Sequence, residues 1–84
     1  MKWDVVEVVP NADLSMQVRF ADGTQGAVRF EQSHLLGVFE SLKDPAVFCQ
    51  AYLDSGAVSW PGDIDIAPDA MYREIKLHGQ WVLR

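Results

Sequence analysis

The sequence predicts an α+β fold: an antiparallel β-meander of three N-terminal strands plus a second hairpin, packed against one or two short helices. Three observations carry that prediction. Apolar residues alternate strictly from Leu14 to Phe20, an Asp22-Gly23 turn signal leads into a matching return to Phe30, and helix-start chemistry occurs at Asp44-Pro45 and Pro68.

Residues 2–9 are rich in Val, lack helical spacing, and read as a first strand apolar enough to be buried on much of both faces. Pro10-Asn11-Ala12-Asp13 ends it. Leu14, Met16, Val18 and Phe20 then alternate with Ser15, Gln17 and Arg19, the period of two of a strand with one face in a core. Asp22-Gly23 suits a tight hairpin, and Gly26, Val28 and Phe30 share one face of the return strand. In the middle, Leu35, Val38 or Phe39, and Leu42 recur at helical spacing interrupted by Gly37, which predicts a short helix or a few turns over the sheet. The Asp44 carboxylate can accept from free amides and Pro45 fits a first turn, so a helix starts there and carries Val47 and Phe48 inward.

Residues 50–53 and 57–60 flank Asp54-Ser55-Gly56 and form the second hairpin. Pro68 opens another helix, with Asp69 near its positive end, Arg73 and Lys76 towards its negative end, and Met71, Tyr72 and Ile75 facing the sheet. Gly79 terminates it, and Trp81 and Leu83 share a face if the tail is extended.

Eighty-four residues that are 49% hydrophobic make one modest core and one packing unit, with residues 1–84 as a single domain. Three Trp, two Tyr and four Phe supply the large buried areas so short a chain needs. The formal charge of −5 repels phosphate backbones, so direct nucleic-acid binding is not expected and a basic protein partner is easier to accommodate. Cys49 has no second cysteine to pair with, which fits a reducing cytoplasm. No stretch reaches the roughly 18 apolar residues of a membrane span. Asp4 interrupts any signal-peptide run, so the mature chain is expected to start at Met1.

Several chemistries fail on spacing. With Asp63 as the first position of a calcium loop, Asp65, Asp69 and Glu74 fall on ligand positions, but Ala67 and Pro68 stand where an oxygen ligand and a glycine are required. The block therefore reads as a turn plus helix start, in which Asp65 either hydrogen-bonds the amides near Pro68 or packs against Trp60, and Asp69 offsets the helix dipole. His34 and His78 have no third ligand at metal spacing, and Cys49 sits beside Phe48 like a small core thiol. The glycines are scattered singly and form no phosphate-cradling loop. No cofactor, metal site or catalytic set is expected. Trp60 is expected in the core. Trp81 lies in a terminal segment apolar enough to pack on the sheet, add an edge strand, or dock on another copy in a homodimer.

The stretch Trp60-Pro61-Gly62-Asp63-Ile64-Asp65-Ile66-Ala67-Pro68-Asp69-Ala70-Met71-Tyr72 resembles the closing Trp-Pro-Asn-Gly-x-Asp block of an uncharacterised bacterial family, domain of unknown function 2442. Phe20-Ala21-Asp22-Gly23, and Gly37 to Pro45 followed by Phe48, are similar to that family's other landmarks in the same order. The chain departs from the pattern with Gly62-Asp63 for Asn-Gly and with Met71 for Leu. The resemblance implies an α+β fold. Some members precede a repressor-like helix-turn-helix, and some are encoded beside another very small protein. Residues 73–84 are too few to add such a DNA-binding segment here.

The expectation is thus a non-enzymatic acidic interaction module, antitoxin-like in binding a small neighbouring protein, with Asp63, Asp65, Asp69, Tyr72 and Trp81 as contact residues. The alternative is a ligand-sensing or regulatory domain related to those fused to helix-turn-helix repressors.

Overall fold

The computed structural model describes residues 1–83, without the side chain of Val38. Expectations that fall on Val38 or Arg84 lie outside the described residues. Strands β1 (Val5–Asn11), β2 (Ser15–Phe20) and β3 (Gln25–Phe30) form the predicted antiparallel meander. Met16 stands opposite Val28 and Val18 opposite Gly26, so the alternation read from β2 places one apolar face inward. The β1–β2 loop is Ala12 to Leu14, and Leu14 adopts φ 63° instead of starting the strand. That matches a three-residue hairpin loop ending in a left-handed residue; packing of half-buried Leu14 against the core offsets the strain on a branched side chain.

The first strand is not buried on both faces. Val5 is buried, but Val6 and Val9 are 44% and 51% exposed, because β1 is an edge strand and its sheet is covered on one side only. The outer face carries Glu7, Gln17, Arg19, Gln25 and Arg29, all exposed.

Between β3 and the second hairpin the chain makes two 3₁₀ segments, Gln32–His34 and Gly37–Lys43; Leu35, just after the first, and Leu42, within the second, are fully buried. Helix α1 (Pro45–Phe48) starts as predicted: the Asp44 carboxylate accepts from the Ala46 amide at 3.0 Å, and Phe48 enters the core. Cys49 is exposed, contrary to the expected core thiol. It follows Phe48 by about 100° around the helix, so burying one turns the other outward.

A second sheet comprises β4 (Tyr52–Asp54), β5 (Ala57–Trp60) and β6 (Ile64–Asp65), antiparallel throughout. Its inner residues Val58, Trp60 and Ile64 join the same core as the meander. Trp60 is fully buried, as expected; its indole N–H donates to the Phe48 carbonyl at 2.8 Å, and its ring meets Phe30 edge-on at 5.9 Å.

Helix α2 (Pro68–His78) carries Met71 and Ile75 into the core, one turn apart, and ends at Gly79. Its amino end is capped by the backbone of Ala67 with no side-chain cap. Asp65 therefore does not serve as the cap, and in β6 it occupies the face opposite to that of Trp60. The close approach of α2 to β3 depends on Gly26: a Cβ there would lie 2.7 Å from the Gly79 carbonyl oxygen and 2.8 Å from Ile75 Cγ2. The tail forms β7 (Gln80–Leu83), which runs parallel to β3 and completes a four-stranded sheet of order β1-β2-β3-β7. No helix is long and apolar enough to cross a membrane among the described residues.

Candidate functional site

Pairing in the second sheet sorts its side chains into two sets. Tyr52 is opposite Ser59, and Ser59 opposite Asp65, so these three form one row across the sheet, with Asp54 two residues along on the same face. The turn joining β5 to β6 is Pro61-Gly62-Asp63, in which Gly62 (φ 95°) and Asp63 (φ 62°) both take left-handed backbone angles. Gly has no Cβ to oppose that conformation and Asp tolerates it, so this pair suits the turn and brings the Asp63 side chain to the rim of the row.

Together Tyr52, Asp54, Ser59, Asp63, Ile64 and Asp65 line an open hollow of about 120 Å³. Three carboxylates and a phenol share its wall, and among the described residues no basic side chain lines it. Tyr52 is 46% exposed. Ser59 is buried beneath its neighbours, with its hydroxyl donating to the Ala57 carbonyl at a long 3.4 Å, while Asp54 accepts from the Ser55 hydroxyl at 3.3 Å. The hollow thus concentrates negative charge in the open, where a cation gains from several carboxylates at once. Among the described residues, no group of three or more His, Cys, Asp or Glu is arranged to hold a metal ion.

The five residues singled out from the sequence fall in three places. Asp63 and Asp65 come together in the hollow. Asp69 lies in the first turn of α2, where its carboxylate accepts from the Ala70 amide at 2.9 Å. Tyr72 lies elsewhere: its hydroxyl donates to the Asp22 carboxylate at 2.6 Å and its ring meets Phe20 edge-on at 5.2 Å. The ammonium groups of Lys2 and Lys76 sit 5.8 and 5.9 Å from its ring centre. The Tyr72 hydroxyl and the amide of Thr24 hold Asp22 down to about 2, and the same bond pushes the Tyr72 phenol up. Trp81 is half-buried on β7, opposite Val28.

Sequence reading missed Tyr52 and Asp54 as partners of Asp63 and Asp65. Strand pairing was the available signal, since placing Asp54-Ser55-Gly56 in a hairpin already puts residues 52 and 54 on one face. Asp22 is separated from Tyr72 by 50 positions and left no comparable trace.

The family model described as protein of unknown function (DUF2442) matches residues 5–76, and the chain belongs to that family. No curated protein and no solved structure matches it.

Proposed function

We propose that this protein is a protein-binding module that docks a basic segment of a partner against the outer face of the second sheet. The observation that supports this reading is the row Tyr52, Ser59 and Asp65 with Asp54 and Asp63 beside it: three carboxylates around an exposed aromatic ring, with no cation in the lining among the described residues. Lys or Arg side chains complement that set, and the ring adds a cation–π face. The charge of −5 steers such a partner from a distance and makes the association sensitive to salt. A small basic protein encoded beside this one is the first partner to try.

A ligand-sensing role has less support, because about 120 Å³ of open, polar hollow is small against the roughly 300–1,000 Å³ of ordinary small-molecule sites. The test is fluorescence anisotropy with a labelled peptide of alternating Lys, Arg and Gly, with an alternating Glu and Gly peptide as control. Binding that weakens with salt and is lost in Asp63→Asn/Asp65→Asn supports the proposal. Equal behaviour of the two peptides, or no effect of the double substitution, overturns it.

A further inference from the structure

The four-stranded sheet ends on two strands, β1 and β7, and only one of them is guarded against pairing with another chain. Strand β1 has a register shift between Val5 and Glu7, a charged Glu7 and Pro10, the devices that keep an edge from being extended. In the second sheet, β4 and β6 have only three and two residues. Strand β7 reads Gln80-Trp81-Val82-Leu83, with no charge, no proline and a regular register to β3.

The phase of its hydrogen bonds is fixed by the Glu31 amide, which donates to the Leu83 carbonyl at 2.8 Å. In a parallel ladder the peptide groups of alternate residues face the same neighbour. Leu83 and Trp81 therefore address β3, and the N–H and C=O of Gln80 and Val82 point away from it. No hydrogen bond outside the ladder takes up those four groups among the described residues. Two of them are donors and two are acceptors, spaced two residues apart, so the edge is complementary to itself when reversed. Trp81 on one face and Val82 on the other are each half-buried, as residues with no strand beyond them are.

We infer that β7 pairs antiparallel with β7 of a second copy of this chain, about a two-fold axis at Trp81, giving a continuous eight-stranded sheet. Gln80 of each copy faces Val82 of the other and the pair exchanges both N–H···O=C bonds, four in all, while the two Trp81 residues meet as the non-hydrogen-bonded pair with their rings side by side. A second copy is the fitting occupant because the edge reads the same from both sides of the axis. For a chain carrying −5, a strand free of charge is also the place where two copies meet with least repulsion.

The experiment is sedimentation equilibrium on the full chain from about 10 μM to about 1 mM, the range in which a small interface populates a dimer. A mass that climbs from monomer towards dimer is expected. Val82→Pro removes an outward N–H that β3 does not use; it should leave the thermal transition in place and weaken dimerisation about thirtyfold, for two lost hydrogen bonds per dimer. A monomer at every concentration, or a dimer untouched by Val82→Pro, overturns the inference. Should that variant not fold, hydrogen exchange on the unaltered protein decides. The Gln80 and Val82 amides gain protection with concentration if the pairing forms, and unchanged protection overturns it.

Discussion

Two regions of this molecule each set a tyrosine beside carboxylate, Tyr72 beside one and Tyr52 beside several, and they use it oppositely. Tyr72 is engaged on every side: its hydroxyl is bonded to Asp22, its ring is packed on Phe20, and Lys2 and Lys76 approach its face. Tyr52 stands half-exposed beside Asp54, Asp63 and Asp65, in a hollow that no cation lines among the described residues. The first arrangement ties α2 to the β2–β3 turn. The second leaves its negative charge for something from outside. The difference teaches that residue type alone does not separate structure from function here; what separates them is whether the chain itself supplies the complementary groups.

Both regions stand on one core, and its loss is expected to have the largest effect. Trp60→Ala empties the core behind the second sheet and takes the indole donor from the Phe48 carbonyl, which keeps only its long bond from the Ala51 amide; a loss of about 3–5 kcal/mol, read by urea denaturation, takes up most of the stability of so small a fold and weakens both regions. Gly26→Ala drives a methyl into the Gly79 carbonyl and Ile75, so α2 must shift off β3. The same measurement should show about 1–3 kcal/mol, with Tyr72 drawn away from Asp22.

Tyr72→Phe tests the closed region alone. The Asp22 carboxyl is lowered from 3.8 to about 2, so its contribution to stability is in place above pH 3.8 and is lost as pH falls through about 2. Tyr72 is raised above 10.0, and what it contributes is present below pH 10.0 and lost as pH rises through its raised value. Melting temperature followed against pH should therefore fall at both extremes, with both limbs flattened in Tyr72→Phe and the Asp22 carboxyl returning towards its ordinary value by NMR titration. The smallest structural effect is expected in the open region. Asp63→Asn/Asp65→Asn should leave the melting temperature unchanged while removing salt-sensitive binding of the basic peptide, since among the described residues neither carboxylate holds a hydrogen bond or ion pair.

What could be read beforehand follows from the range of the forces involved. The meander, the Asp44 cap, the second hairpin, the core position of Trp60 and the start and stop of α2 are set by neighbours in the chain, so alternation and turn residues announced them. The two-residue strand β6 is too short to show a period, and the parallel docking of β7 on β3 leaves no local mark. Leu14 looked like the first inward residue of β2 because its burial is real. Its backbone, bent to φ 63°, belongs to the turn. Of the site, the acidic pair Asp63 and Asp65 was legible, whereas the company of Tyr52 and Asp54 arises from pairing across the sheet.

The parallel contact between β3 and β7 also sets an order of assembly. Strands β1 to β3 are joined by short turns and can close as soon as they are made, but Ala27 and Gln80 become neighbours only after the second sheet and every helix have passed between them. During synthesis on the ribosome the edge of β3 formed by the Ala27 and Arg29 peptide groups therefore stays bare until Gln80 to Leu83 emerge. A nascent chain stalled before that point presents a ready-made template for mispairing at β3, which the arrival of β7 covers.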